Sequence, residues 1–569
     1  MNILGIHNSG LLSSAALIQD GRITAAIPEE RLDRKKMSRG FPSRALEFCL
    51  ESADLSFEDI DLVAVGWNPG INVLSRYRGG FAERVRYSGE WLYSVPNHLS
   101  DYVSWPDSGA TEQVFQTGGD ALRIKYVSHH DAHAALAYYT SPFDASAILT
   151  VDAYGERHST TWKEATADGI QTYQTLDFPQ SVGSLYAAFT EHLGFRPFHD
   201  EWKVMGLSAY GDPGRFREAF AALVSTEVNP FELDLTCFNH FSFDTDGLLS
   251  EKGRSLFCER RRRDDPIESV HQDLAAALQE ITEQVLLRCV NDLHGMKPSC
   301  NVCLSGGAIM NSVFNGKVRS KGPFDRVHIP FSPDDCGNSI GAALWAYHRE
   351  NPSADRLSYP VMPYLGRAWS NEEVEAALKT ARLAFRKSTR CAEETAELLA
   401  SGAIVGWFQG RSEFGQRALG NRSILADPRA VEMRDRVNSA VKFREAFRPF
   451  APAVTEEAMD RYFVSDGNPV YYMERVCPAT SEARQSVPAV VHQDGSARVQ
   501  TVTRETNATF YGLLEAFGAL TGIPVLMNTS FNVQGEPIVE RPLDAVRTFY
   551  STGLDALVIG PFILQKSTT

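Results

Sequence analysis

The stretch "VSHHDAHAALAYY", residues 127–139, places three histidines within five positions of a chain that has 14 in all. If a helix begins just after Ser128, His129 and His133 stand one turn apart on the same face. That is the spacing two imidazoles need to reach one cation. His130 then points about 100° away, as a supporting or outward residue. Two histidines hold a metal weakly, so other ligands must complete the site. Asp152, ending "ILTVD", and Asp335, in "PDDCGNS", are the candidates, because each follows an apolar strand and sits beside small residues. Two His and two Asp suit Fe²⁺, Mn²⁺ or Zn²⁺, and ligand softness does not choose between them. The competing reading is a hydrogen-bonded helix terminus. Spacing alone leaves both open.

A second constellation is basic. "GRSEFGQRALGNRSILADPR" and "VNSAVKFREAFRPFAP" carry Arg417, Arg422, Lys442, Arg444 and Arg448 among glycines and polar residues. Arginine binds phosphate in bidentate fashion and lysine supplies a mobile point charge. A local basic patch in a chain of net charge −15 points to a small phosphorylated substrate. The alternative is a set of ion pairs with nearby Asp and Glu. The run "ERRRRDD" before residue 266 reads instead as a solvated loop neutralised by Glu259, Asp264 and Asp265.

The elements that must carry these residues follow from periodicity. "NILGIH" and "DLVAVGW" are apolar strands, and Asp20-Gly21 and Asp168-Gly169 are hairpin turns. The chain twice shows a strand ending in a polar or glycine-containing loop, followed by a hairpin, which indicates an internal duplication. Residues 266–292 form a helix with Val270, Leu274, Leu278, Ile281, Val285 and Cys289 on one face and Pro266 in its first turn. "NVCLSGGAIMNSVFNGKV" reads as strand, two glycines, helix, an arrangement that offers free N–H groups to an anion. Residues 351–369 read as a linker, and about 370–569 as a second α/β unit.

With 569 residues the chain requires more than one core. The acidic balance argues against nucleic acid or anionic membrane as a partner. Nine cysteines, an odd number without paired spacing, suit a reduced, cytoplasmic protein, and Cys300 and Cys303 read as strand residues rather than a metal pair. The N-terminus lacks a signal-peptide pattern, and no run reaches the length of a membrane span.

The motifs "HHDAHAA", "LTVDAYGE", "EWKVMGLSAYGDP", "LSGGAIMN", "EFGQRALGNRSILADPR", "VKFREAFRPFAP", "DGSARVQTV" and "NTSFNVQGEPIV" together resemble the ordered signature of the NodU/CmcH-type O-carbamoyltransferases, from residue 1 to about 563. The resemblance implies two parts. One, 1–355, is a duplicated actin-like (ASKHA) domain similar to threonylcarbamoyl-transfer proteins. The other, 370–569, is a YrdC-like twisted α/β domain. It also implies that ATP, with Mg²⁺, activates carbamoyl phosphate to carbamoyl adenylate. The carbamoyl group then passes to a hydroxyl of a small-molecule natural product, and AMP is released.

By the same resemblance His129, His133, Asp152 and Asp335 bind the metal, Fe²⁺ or another divalent ion. Gly306, Gly307 and Asn311 bind the adenylate. Lys442, Arg444 and Arg417 are catalytic, and Arg448, Arg498, Ser530, Asn532 and Asn528 bind nucleotide and carbamoyl phosphate. A homodimer is compatible with it. Three positions depart from the pattern. "LLSS", Leu11–Ser14, replaces a stretch with a histidine near the acceptor, for which His7 is the available substitute. Ala153-Tyr154 alters the loop after Asp152, and Gln416 replaces a proline. The aromatic and basic stretch 70–115 is the expected acceptor pocket. Two other readings are a tRNA threonylcarbamoyl-modification-like enzyme, disfavoured by the acidic charge, and an actin-like nucleotide switch, which has no need of the second anion pocket.

Overall fold

The computed structural model describes residues 1–68, 110–117, 120–228, 230–242, 246–445 and 447–566. The expected acceptor stretch 70–115 therefore lies outside the described residues, apart from 110–115. The chain divides into two compact units, both built of mixed sheets and helices. The first is Met1–Thr24, Arg39–Pro42 and Cys49–Val361; the second is Ala25–Ser38, Ser43–Phe48 and Met362–Thr569.

Unit 1 contains the same pattern twice. In the first sheet Asn2–Asn8 pairs antiparallel with Ser13–Gln19 and parallel with Leu62–Val65, which runs parallel to Asp120–Val127. In the second, Ser146–Val151 pairs antiparallel with His158–Thr166 and parallel with Asn301–Ser305, which runs parallel to Arg326–His328. Each central strand thus has a hairpin on one side and parallel strands on the other. Asp20 and Gly21 both take positive φ, 48° and 79°, as the tight first hairpin requires.

Each sheet is followed by a helix, His129–Tyr139 after the first and Asn338–Glu350 after the second. These two helices cross closely: a Cβ on Gly341 would run into the carbonyl of Ala132. That contact brings the start of one helix to the start of the other. Ser128 caps the first by accepting from the Asp131 N–H at 3.2 Å. Arg356 binds the carbonyls of Tyr138 and Ser141 at its other end.

The long helix spans Ser269–Met296, three residues later than its pattern suggests. Its start is set by Glu268, which forms a reciprocal cap with His271, and Pro266 stays outside. Nor does "SGGAIMN" open a long helix. A 3₁₀ turn, Gly307–Met310, and a four-residue helix, Ser312–Asn315, follow the strand instead.

Unit 2 has an eight-stranded mixed sheet, with Val405–Phe408, Arg422–Ala426 and Val525–Ser530 adjacent at its centre. Side chains alternate across it, as the two-residue strand period demands. Leu557 and Ile559 join one core cluster, Ala556 and Val558 the other. Sequence order does not reveal that Ala25–Ser38 belongs here. Ala26 donates to Leu365 O at 3.1 Å, Arg31 Nη2 to Gly415 O at 2.9 Å, and Arg34 Nη1 to Ile538 O at 2.7 Å.

Candidate functional site

The first site lies where the two repeated halves of unit 1 meet. Nε2 of His129 and Nε2 of His133 stand 3.1 Å apart. Asp152 Oδ2 is 3.3 Å from the first and 3.1 Å from the second, and Asp335 Oδ1 is 3.6 Å from each. One ligand atom from each of the four lies within 4.8 Å of the others. The helix therefore begins where the i, i+4 reading needs it to, and both aspartates sit at strand-end loops.

His130 is buried rather than outward. Nδ1 meets the Thr150 hydroxyl at 2.7 Å, and Nε2–H donates to His158 O at 2.8 Å. It holds the helix onto the second sheet and takes no part in the cluster. Burial, with the neighbouring histidines, drives its pKa well below the usual value.

Two carboxylates confronting two imidazoles require a shared positive charge. Burial lowers the His133 pKa, but hydrogen bonds to Asp152 and Asp335 outweigh it and push it up to about 9. Burial and the like charge of Asp335 would raise Asp152, but the two histidines hold it down at about 2. A divalent cation would supply the same charge. The surroundings fit one. Asn338 Nδ2 lies 3.2 Å from His129 Nδ1, while Asn338 Oδ1 is buried with no hydrogen-bond partner among the described residues. Exchanging the amide O and N satisfies Oδ1, places the imidazole proton on Nδ1 and frees the Nε2 lone pair for a metal.

The surrounding shell contains His7 and residues the sequence did not point to. Ser9 donates to Asp335 Oδ2 at 3.0 Å, and His7 Nε2 lies 3.0 Å from Ser9 Oγ and 3.6 Å from Asp335 Oδ2. His7 is fully buried, so its reach is toward Asp335 rather than an incoming hydroxyl. Glu156 Oε1 accepts both the His129 N–H, at 2.8 Å, and the Asn68 N–H, at 2.6 Å. The Trp67 ring meets the His129 ring edge-on at 5.5 Å.

Gly306 and Gly307 serve this cluster directly. Gly306 has φ 101°, and a Cβ there would strike Val151 O. Gly307 N–H donates to Asp152 Oδ2 at 3.1 Å, and a Cβ at Gly307 would strike the same carboxylate. Asn311 caps the short helix through Phe314 N–H at 3.0 Å and exchanges two amide hydrogen bonds with Gln279, at 3.0 and 3.1 Å.

The second site is in unit 2. Five cations influence one another there. Lys442 feels Arg444 and Arg448, Arg444 feels Arg448 and Arg498, and Arg498 feels Arg417 and Arg448. Burial first, and these like charges next, lower the pKa of Lys442 well below the usual ammonium range and that of Arg498 to about 9. Among the described residues Arg498 makes no hydrogen bond or ion pair. The Glu445 carboxylate, 3.3 Å from Arg448, offsets part of this repulsion, and a bound anion would offset more.

Lys442 ends a π-turn, and Phe443 follows at φ 47° with its side chain 59% exposed. Lys442 Nζ donates to Ser530 Oγ at 3.2 Å and to Asn532 Oδ1 at 2.9 Å, so the expected Ser530 and Asn532 are together with it. Arg444 Nε donates to Asn438 Oδ1 at 2.8 Å. Asn528 Nδ2 donates to Ala418 O at 3.3 Å and to Gln500 Oε1 at 2.9 Å, which ties down the loop after Arg417.

Arg422 is separate from this group. Its two Nη groups donate to the carbonyls of Gln409, Gly410 and Arg367, and the guanidinium stacks 3.7 Å from the Phe408 ring. In "ERRRRDD" Arg260 pairs with Glu191, while Arg261 is buried and donates to Leu193 O at 2.7 Å; that side chain is structural, not solvated. Cys303 is buried in its strand with its thiol raised to about 11 by burial, and Cys300 is exposed.

Among the described residues no helix is long and apolar enough to cross a membrane. The chain matches the family model described as "Carbamoyltransferase N-terminus" over residues 2–344, and that described as "Carbamoyltransferase C-terminus" over residues 396–566. It is 36% identical to the nodulation protein NolNO of Sinorhizobium fredii, covering 100% of this chain and 81% of that protein. It is 38% identical to NolO of Bradyrhizobium diazoefficiens over 77% of this chain and 79% of that protein. It is also 35% identical to an uncharacterized protein of Synechocystis over 100% and 97%. The crystal structure of T. kodakarensis HypF covers 62% of this chain and 48% of that chain at 11% identity and a TM-score of 0.31, too slight a likeness to carry an argument.

Proposed function

The chain belongs to the carbamoyltransferase family, and we propose that it is an ATP-dependent O-carbamoyltransferase that works in two stages. Unit 2, read as YrdC-like, activates carbamoyl phosphate. Unit 1, read as a duplicated actin-like domain, delivers the carbamoyl group to a hydroxyl of a small-molecule natural product.

The observation that carries this reading is the gathering of Arg417, Lys442, Arg444, Arg448 and Arg498 into one cationic cluster, with Arg417 and Lys442 buried and the other three half-buried. Water cleaves carbamoyl phosphate to carbamate and phosphate. A carbamate oxygen then attacks the α-phosphorus of ATP, entering as its Mg²⁺ complex, and pyrophosphate leaves. The arginines gather the phosphoryl charge, and Lys442 offsets the charge that builds on the α-phosphate oxygens. In unit 1 the acceptor oxygen attacks the carbamoyl carbon, and AMP leaves. A neutral alcohol is a weak nucleophile, so the mixed anhydride supplies the driving force.

His129, His133, Asp152 and Asp335 would hold a divalent metal, Fe²⁺ on the family resemblance, which supplies Lewis-acid assistance at the phosphate or carbamoyl oxygen. Gly307 and Ser9 keep the two carboxylates in place, and Asn338 fixes the His129 tautomer. The test is pyrophosphate release measured with and without carbamoyl phosphate, followed by mass spectrometry for one added carbamoyl group across hydroxyl acceptors. Pyrophosphate release that is indifferent to carbamoyl phosphate would overturn the reading.

A further inference from the structure

His492 sits at the base of a tight hairpin and has no part in the roles described above. Its N–H donates to Ser496 O at 2.7 Å, and the Gly495 N–H donates to His492 O at 3.0 Å. Within this turn the side chains form a relay with only one possible polarity. Ser496 Oγ lies 2.7 Å from Asp494 Oδ1 and 3.2 Å from His492 Nδ1. A carboxylate only accepts, so the serine hydroxyl donates to Asp494. The same oxygen therefore accepts from His492, and the imidazole proton is on Nδ1. Nε2 is left with its lone pair, and it is buried with no partner among the described residues. Burial, and then the charge of Arg498, keep the ring neutral against the pull of Asp494, with a pKa of about 4.

The direction of that lone pair follows from the strand. Ser496–Ala497 is a short strand, and past its end the burial still alternates, with Ser496 and Arg498 half-buried and Ala497 and Val499 buried. Alternate side chains share a face. Ala497 and Val499 are both fully buried on one side, so Ser496 and Arg498 share the other. His492, bound through Ser496, lies on the side of Arg498 and the basic cluster. The five cationic side chains there can only donate, and the acceptor oxygens of Ser530 and Asn532 are already engaged by Lys442. A pocket of donors recognises a phosphoryl group but cannot tell one acyl phosphate from another. Carbamoyl phosphate alone adds an amide N–H.

We propose that His492 Nε2 accepts a hydrogen bond from the carbamoyl NH₂ group, which makes His492 the residue that selects carbamoyl phosphate over acetyl phosphate. This rests on the reading of the basic cluster as the carbamoyl-phosphate site. The experiment is carbamoyl-phosphate-dependent ATP–pyrophosphate exchange by the full chain, with acetyl phosphate as competitive inhibitor. In His492→Leu the KM for carbamoyl phosphate should rise on the order of tenfold, the loss expected for one buried hydrogen bond. The inhibition constant of acetyl phosphate should stay within about twofold, because that ligand never used the lone pair. His492→Gln, which carries an amide oxygen to about the same reach, should restore most of the discrimination. If His492→Leu does not fold, His492→Asn, too short to reach, gives the same comparison. Equal changes in both constants, or none, would overturn the assignment of His492 alone. A wild-type chain with no carbamoyl-phosphate-dependent exchange would overturn the functional reading and this proposal together.

Discussion

Replacing Asp152 by asparagine changes one atom and tests the metal reading directly. Asp152 Oδ2 faces His129 and His133 at 3.3 and 3.1 Å and accepts from Gly307 N–H at 3.1 Å; Oδ1 accepts from Ala153 N–H at 2.7 Å. The amide has one acceptor where the carboxylate has two, so one of these donors is left facing an NH₂ group. That costs about 1 kcal/mol or more. The larger effect is charge. Two carboxylates neutralise a divalent ion, and with asparagine one positive charge stays buried. A unit charge about 4 Å away contributes about 4 kcal/mol at an effective dielectric of about 20. Relief of the repulsion between Asp152 and Asp335 offsets part of it. The net is a loss of about 2–4 kcal/mol, or metal affinity weaker by about thirty- to a thousandfold. Competition against a chromophoric chelator near neutral pH measures it. The metal-dependent gain in melting temperature gives an independent value. An Asp152→Asn protein that binds divalent metal within about threefold of wild type would show that Asp152 is not a ligand, and the cluster would revert to a hydrogen-bonded helix terminus.

Four further outcomes are expected. His133→Ala should abolish carbamoyl transfer while sparing carbamoyl-phosphate-dependent pyrophosphate release; retained transfer would sink the assignment of the two stages. Lys442→Ala should abolish both, with metal content unchanged by elemental analysis. Gly341→Ala places a Cβ against Ala132 O and should destabilise unit 1 by about 1–3 kcal/mol in urea titration, since overpacking of this kind costs that much. Glu201 is raised to about 7 by burial. Its folded pKa exceeds its unfolded one, so the stability it contributes is full below about pH 4.5 and is lost as pH rises through 7. Glu201→Gln should therefore raise the melting temperature at pH 8 and leave it unchanged at pH 4, and equal effects at both would refute the burial argument.

The His/Asp cluster was legible because its members follow local rules. His129 and His133 share a helix face, Asp152 directly follows the strand Ser146–Val151, and Asp335 opens the 3₁₀ turn that leads from the strand Arg326–His328 into the next helix. The positions that steady them follow no such rule. Asn338, Ser9 and Glu156 acquire their roles only when two helices from separate repeats cross, and no short-range pattern encodes that crossing. The basic cluster shows the same limit in reverse. Arg417 and Arg422 are five residues apart in one motif, and composition treats them alike. They differ because Arg422 is engaged by the carbonyls of Gln409, Gly410 and Arg367, whereas Arg417, held by Tyr472 O at 3.3 Å, also acts on Arg498. Asn311 and Gly307 read as ligand groups in a strand–glycine–helix pattern, but each is engaged by Gln279 or Asp152. The helix that would have oriented them toward an anion is only four residues long.

The placement of Ala25–Ser38 and Ser43–Phe48 in the C-terminal unit constrains how this protein can be made. These residues leave the ribosome long before Gly415 and Ile538, whose carbonyls Arg31 and Arg34 must meet. At about 5–20 residues per second the wait is tens of seconds. For that time Arg31 and Arg34 lack the carbonyls they bind in the finished fold, so the C-terminal unit, which includes this early segment, closes only when the chain is nearly complete. The same thread bars an obvious genetic cut. A gene split at residue 361 would leave the downstream piece without an integral part of its own fold, and only a chain carrying both ends, or two fragments that find each other, can restore it.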